Sequence, residues 1–191
     1  MTDTPESSLF EEDHYYVAGY TVADDPFVDK NGVLLNKLGI TDTASLNEAE
    51  TDLSSARLIE LREHPIHGEF NLAHLCALHR HIFQDVYPWA GKPRVVDIGK
   101  GDSMFLPHHL IEPRFNEVTL RLPARNFLSD TYADLDSYSN EDGIVFAQII
   151  TIHAFREGNV RAQREHLALL ASSACFQIRW AGVPSQAMVD V

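Results

Sequence analysis

Three observations predict a mostly α-helical fold, a bundle around a central helix–loop–helix that carries one β-hairpin. Apolar residues recur at three- and four-residue steps through most of the chain. Only residues 94–106 have strand composition broken by turn residues. The run from Ile144 to Ile152 is apolar on all sides, the mark of a buried helix, and it leads directly into a Gly-Asn turn. A length of 191 residues suits one domain. Residues 1–14 read as a disordered polar tail and residues 15–191 as the domain.

Each element has its own signal. Tyr15, Tyr16, Tyr20 and Phe27, mixed with Asp and Gly, read as an irregular arm that lays aromatics on a neighbour. Thr41-Asp42-Thr43 offers helix caps, and Leu46, Ala49, Leu53 and Ala56 give the following helix an apolar face through about Glu63. His64-Pro65 ends it. A second helix is expected from Asn71 to Gln84, with Leu72, Leu75, Leu78 and Ile82 on one side. Arg94 to Ile98 is a strand, Gly99-Lys100-Gly101-Asp102 a turn, and Ser103 to Leu106 the returning strand of a lone hairpin, which must lean on helices to persist. Ile111 to Leu122 is helical with Pro113 in its first turn. Asp134 to Tyr138 forms a short helical turn, Asn140 caps a helix from Glu141 to about Phe155, and a last helix runs from about Val160 to Ile178.

The formal net charge is −13, and the lysines and arginines are scattered, which argues against direct nucleic-acid binding. Against that background Arg156, Arg161 and Arg164 form an unusual cluster suited to a local anion. Cys76 and Cys175 read as two buried thiols in a reducing compartment rather than a disulfide. Met1 to Asp13 is polar rather than signal-like, and no apolar run reaches the roughly 18–20 residues of a membrane span, so a cytoplasmic location is expected.

The densest chemistry lies in the run His153-Ala154-Phe155-Arg156-Glu157-Gly158-Asn159-Val160-Arg161-Ala162-Gln163-Arg164. A helix beginning after Gly158 would present free backbone N–H groups and a positive dipole end to an anion. Gly158 and Asn159 tolerate the left-handed backbone that aims successive amides at one phosphate. Arg161 and Arg164 are three apart, on one helix face, and can add charge-assisted contacts. Glu157 can hold Mg²⁺ alongside phosphates. His153, placed in the last turn of the preceding helix and with a pKa near working pH, can accept a proton from a hydroxyl. His79 and His81, two apart on a helix, face different sides and make a poor metal pair. His108-His109 follows the hairpin and reads as surface, the alternative being a place lining the pocket.

This run resembles the signature of the Fic family (filamentation induced by cAMP), His-Pro-Phe-x-Glu/Asp-Gly-Asn-Gly-Arg-x-x-Arg. His153, Phe155, Glu157, Gly158, Asn159, Arg161 and Arg164 match. Leu78 to Gly91, continuing through Val96-Asp97-Ile98 and Lys100-Gly101-Asp102, resembles the helix and flap hairpin of that family, and Asn36 to Asp42 resembles the N-terminal part of its bacterial single-domain toxins. The resemblance implies a Fic fold and transfer of AMP from ATP to a Tyr, Ser or Thr hydroxyl of another protein. It places the general base on His153 and the Mg²⁺ carboxylate on Glu157. ATP contacts fall on Gly158, Asn159, Val160, Arg161, Arg164, Lys100 and Gly101. It makes residues 95–105 a flap to which a target segment adds as a strand. Type II topoisomerase subunits, which similar toxins modify, are the implied target class.

Three positions depart from the signature: Ala154 stands for Pro, Ala162 for a frequently polar residue, and Val160 for the second Gly. Two readings of Val160 stay open. In one, a left-handed backbone or the two methyls beside the phosphates weaken ATP binding. In the other, Val160 is the first residue of a helix and points into the core. The family's inhibitory pattern Ser/Thr-x-x-x-Glu-Gly/Asn has no full match; Ser137 to Asp142 comes close, just before the central helix. A separate antitoxin supplying that Glu to Arg164 is therefore implied. The alternatives are a catalytically silent binding module and a relative using another phosphate donor, as in Doc-type kinases, which carry Lys where Val160 stands.

Overall fold

The structure is a computed structural model, and it describes residues 16–17, 25–100, 103–120, 122–123 and 135–181. The expected tail 1–14 lies outside the described residues, as do Tyr15, Tyr20 and Gly101. Five helices are described: α1 Thr43–Glu63, α2 Leu72–Phe83, α3 Ile111–Thr119, α4 Leu135–Ile152 and α5 Asn159–Ser173. Three short strands accompany them: β1 Tyr16–Val17, β2 Ile98–Lys100 and β3 Ser103–Met104.

Local chemistry sets the first two helices where they were expected. Asp42 caps α1 by accepting the Ser45 amide at 2.8 Å, and Asn71 caps α2 by accepting the His74 amide at 3.0 Å. The turn before α1 is tied by Asn36, whose side chain reaches Leu34 O and Ile40 O and accepts the amides of Leu38 and Ile40. The buried face of α1 differs from the expected one. It carries Leu46, Glu50, Ser54 and Leu61, while Ala56 is exposed. Two polar residues are buried there because an arginine of α5 meets them.

The centre of the molecule is α2 packed against α1 on one side and α5 on the other. Leu75, Leu78, Ile82 and Phe83 of α2 and Ala162, Leu167, Leu170 and Ala171 of α5 are almost wholly buried. The helix expected to be central, α4, is instead one-sided: Val145, Ile149, Ile150 and Ile152 are buried, but Ile144 is 57% exposed and Gln148 and Thr151 face solvent. Nor does Asn140 cap it. The short helical turn and the helix after it form one continuous α4, so Ser137 and Asn140 lie within it. α3 ends at Thr119, short of Leu122, and α5 ends at Ser173, short of Ile178.

The hairpin is also not alone among the described residues. β2 pairs antiparallel with β3 (Lys100 opposite Ser103) and, on its other edge, with β1 (Tyr16 opposite Gly99). Its strands are shifted toward the turn from the expected 94–98 and 103–106, because Arg94, Val96 and Leu106 are bonded elsewhere. Both cysteines are free thiols, but Cys175 is exposed and Cys76 only half-buried, against the expectation of two buried thiols.

Candidate active site

The loop between α4 and α5 is built by its own side chains. Asn159 closes it on Phe155, accepting the Phe155 amide and donating to the Phe155 carbonyl, both at 2.7 Å. Glu157 accepts the Gly158 amide at 2.8 Å. Gly158 then turns with φ +78, the left-handed value that favours glycine. A Cβ there would lie 2.3 Å from the Phe83 ring, so glycine is required by space as well as by backbone. The first α-helical bond of α5 runs from Ala162 N–H to Gly158 O, which leaves the amides of Asn159, Val160 and Arg161 without intrahelical acceptors at the dipole's positive end.

Val160 takes helical backbone and is half-buried. It is not among the residues with positive φ, so the reading that required a strained valine is set aside. Its side chain sits on the first turn of α5, beside the amides, and is not part of the buried core.

His153 does not sit in the last turn of α4. It follows Ile152, the end of the helix, and has φ +48. Its Nδ1 lies 3.1 Å from Ile150 O. A carbonyl only accepts, so Nδ1 carries the proton and Nε2 the lone pair. The ring stacks on Phe105 of the hairpin, with centroids 3.7 Å apart. Burial lowers its pKa to about 3, with Arg94 and Lys100 adding to the fall. The expectation of a pKa near working pH is thus corrected: the imidazole is held neutral, in the form that can accept a proton. Lys100, at the end of β2, is close enough to His153 to act on its charge.

The three arginines part company. Arg156 is buried in an ion pair with Asp25, Nε to Oδ2 at 2.8 Å, and is not available to a ligand. Arg161 donates to Glu50 and, at 2.9 Å, to Ser54 Oγ, with its guanidinium 4.6 Å above the Phe83 ring. Tyr87 donates to the other oxygen of Glu50. Arg164 is half-buried, its guanidinium 5.3 Å from the Trp180 ring. Glu157 is half-buried, and withdrawal of its carboxylate from water, with Glu50 close by, raises its pKa. Both oxygens of Glu50 are already bonded, to Arg161 and Tyr87, so Glu157 is the carboxylate here that could meet a cation such as Mg²⁺, which binds through one or two carboxylates plus phosphates. Among the described residues no group of three His, Cys, Asp or Glu could hold a metal alone.

Sequence reasoning missed the part that five residues play in shaping this site. His79 is wholly buried, stacks on Phe155 at 3.8 Å, donates through Nε2 to Glu157 O and accepts the Gly91 amide at Nδ1, both at 2.9 Å. Glu50 and Ser54 fall on the i, i+4, i+8 line from Leu46, a polar interruption of an apolar face that is visible in the sequence. Arg94 has no acidic neighbour in sequence nearer than Asp97, and nothing in the sequence marked it. His108, expected at the surface, is half-buried and bonded to Asp97 through both its amide (2.7 Å) and Nδ1 (2.9 Å).

Comparison with known proteins adds to this geometry. The profile described as Fic/DOC family matches residues 69–171. The chain is 37% identical over 170 residues to protein adenylyltransferase VbhT of Bartonella schoenbuchensis, covering 88% of the chain but 35% of that protein. It is 36% identical over 160 residues to probable protein adenylyltransferase y4lH of Sinorhizobium fredii, covering 83% of the chain and 81% of that protein. The chain therefore spans about a third of the Bartonella relative and most of the Sinorhizobium one. Among solved structures, the BepC effector of Bartonella tribocorum with bound AMPPNP aligns with TM-score 0.75 at 21% identity, covering 86% of this chain and 85% of that one. A Fic domain from Bartonella quintana with bound ADP aligns with TM-score 0.74 at 24% identity, covering 86% and 83%. At those identities the two structures establish the fold.

Proposed function

Since the chain belongs to the Fic/DOC family, we propose that it is a protein adenylyltransferase, moving AMP from ATP to a Tyr, Ser or Thr hydroxyl of a target protein. The observation that carries this reading is the pairing of a neutral, Nε2-basic His153 with the amides at the start of α5 that lack intrahelical acceptors, eight residues apart at most. The amides of Asn159, Val160 and Arg161 receive phosphate oxygens, Arg164 neutralises their charge, and Arg161 adds to this when it exchanges Glu50 for phosphate. Lys100 and Gly101 add contacts from the flap. The target hydroxyl oxygen attacks the α-phosphorus and gives its proton to His153 Nε2. The bond from the α-phosphorus to the bridging oxygen breaks, and pyrophosphate leaves. Glu157 would hold Mg²⁺, which supplies neutralising charge on the phosphates.

The side chain of Asn159 acts one step back, since both its ends are spent on Phe155. The target segment adds as a strand to the hairpin, whose β2 is already paired with β1 on one side and β3 on the other. Type II topoisomerase subunits are the first targets to test. A separate antitoxin supplying a Glu to Arg164 would restrain the enzyme. Among the described residues no helix is long and apolar enough to cross a membrane, in keeping with a cytoplasmic site of action.

Incubation with α-labelled or γ-labelled ATP, Mg²⁺ and bacterial lysate tests the proposal. A protein band labelled only from the α-position supports it. Label only from the γ-position identifies a kinase, and silence from both the parent and Val160→Gly leaves a binding module.

A further inference from the structure

Arg94 is among the most deeply buried side chains of the molecule, with no exposed surface on its guanidinium arm. Four donations leave that arm, and every acceptor is a backbone carbonyl. Nε reaches His153 O at 2.8 Å, Nη1 reaches Val96 O at 2.7 Å, and Nη2 reaches Ile152 O at 3.2 Å and also Leu106 O. Its own amide donates to Ala154 O at 2.9 Å. Ile152 and His153 carry carbonyls from the end of α4, where no intrahelical donor remains and the helix dipole is negative. Val96 and Leu106 belong to the two arms of the hairpin. The carboxylate facing the guanidinium is Asp97, at 3.8 Å from Nη1, and its Oδ1 is already bonded to His108.

His153 has a left-handed backbone, a conformation that costs a non-glycine residue about 1–3 kcal/mol unless its surroundings hold it. Its amide is held by Ile149 O and its carbonyl by the Nε–H of Arg94, the side chain that also binds its neighbour Ile152 O and the flap. A planar fork with five donors can bind several carbonyls at once, and a lysine cannot match that geometry.

We propose that Arg94 is the positioning residue of the active site: it clamps both arms of the flap to the backbone of His153, so that the docking surface and the base move as one body. This rests on the adenylyltransferase reading for its consequence, a target hydroxyl delivered to His153 by a flap of fixed height, but not for the clamp itself. Two backbone bonds cross the same seam among the described residues, Arg94 N–H to Ala154 O at 2.9 Å and Leu106 N–H to Thr151 O at 3.2 Å. Each ties a single arm, whereas the Arg94 side chain reaches both arms and His153.

The test uses Arg94→Met and Arg94→Lys in the full chain, with folding checked by circular dichroism. Arg94→Met is expected to lower kcat for AMP transfer on the order of a hundredfold, with the Kd for ATP unchanged. It should also speed hydrogen exchange at the Phe105 and Leu106 amides and shift the ¹⁵N resonances of the His153 imidazole. Arg94→Lys should recover part of kcat. Parental exchange and imidazole shifts in a folded Arg94→Met variant would overturn the clamp, as would a loss confined to ATP affinity. If Arg94→Met does not fold, the same readings on Arg94→Lys decide. If the parent itself transfers no AMP, the adenylyltransferase reading fails, while exchange and imidazole shifts still decide the clamp.

Discussion

In the loop from Phe155 to Asn159 the turn is closed by near neighbours, Asn159 on Phe155 and Glu157 on Gly158, and is braced from afar by His79 on Glu157 O and Asp25 on Arg156. In the flap, strands of three and two residues supply little, and the fixing bonds come from afar, from Arg94 and from Thr151 at the end of α4. The two regions meet at His153, whose ring is covered by Phe105 of the flap. Each also holds a histidine stacked on a phenylalanine with its pKa lowered to about 3 by burial. His79 has both ring nitrogens spent on backbone groups, Glu157 O and the Gly91 amide, and is a brace. His153 has its Nδ1 proton held by Ile150 O and its access governed by the flap. The contrast teaches that a turn closed by its own side chains keeps its shape locally, while the cover over His153 depends on bonds from distant segments.

Four experiments probe that contrast. The largest effect is expected from Gly158→Ala, which adds left-handed strain to a 2.3 Å collision with Phe83. It should destabilise by about 2–6 kcal/mol in urea unfolding and abolish AMP transfer. Phe83→Leu should recover part of the stability and none of the backbone strain. A Gly158→Ala protein as stable as its parent would show that the loop is not rigid.

Acid comes next. His79, His153 and His166 have folded pKa values of about 3 against the ordinary 6.5, so below 6.5 the unfolded chain binds more protons. Stability should be full above pH 6.5 and fall as pH drops, by up to about 1.4 kcal/mol per pH unit for each histidine. Protonating His153 requires the flap to part from it and the Arg94 clamp to break, whereas protonating His79 requires the loop itself to come apart. Hydrogen exchange at pH 5.5 should therefore quicken at Phe105 and Leu106 before Phe155 and Gly158. Equal acceleration in both regions would erase the distinction.

Phe105→Ala should act mainly on chemistry. Uncovering the imidazole admits water, so the pKa of His153 should rise from about 3 toward 6.5, followed by NMR titration. The pKa of His79 should not move. The smallest change is expected from Val160→Gly. Removing two methyls beside the α5 amides should tighten ATP binding and raise transfer by about tenfold, roughly one hydrogen bond's worth. AMP transfer no faster than the parent's would clear Val160 of any attenuating role.

Much of this molecule was legible in its residues. The caps at Asp42 and Asn71, the Gly-Asn turn and the order of the signature are local features, set by bonds between near neighbours. They placed α1, α2 and the left-handed turn before α5 where the structure has them. What the sequence could not rank was burial. Glu50 and Ser54 lie on a helix face that propensity treats as a mismatch, and only the approach of Arg161 makes them partners. α4 reads as apolar all round, yet one side faces solvent because the layers on the other side are complete. Arg156 reads as a ligand arginine until Asp25 arrives to neutralise it.

The sequence by itself determined the chemistry available: a histidine, a carboxylate, a glycine turn and arginines in a set order. Tertiary structure alone decided the state of that chemistry. The neutral His153, the raised pKa of Glu157 and the four-carbonyl reach of Arg94 all depend on segments distant in sequence closing over one another. Desolvation and charge pairing act through space, and a linear sequence carries no distances.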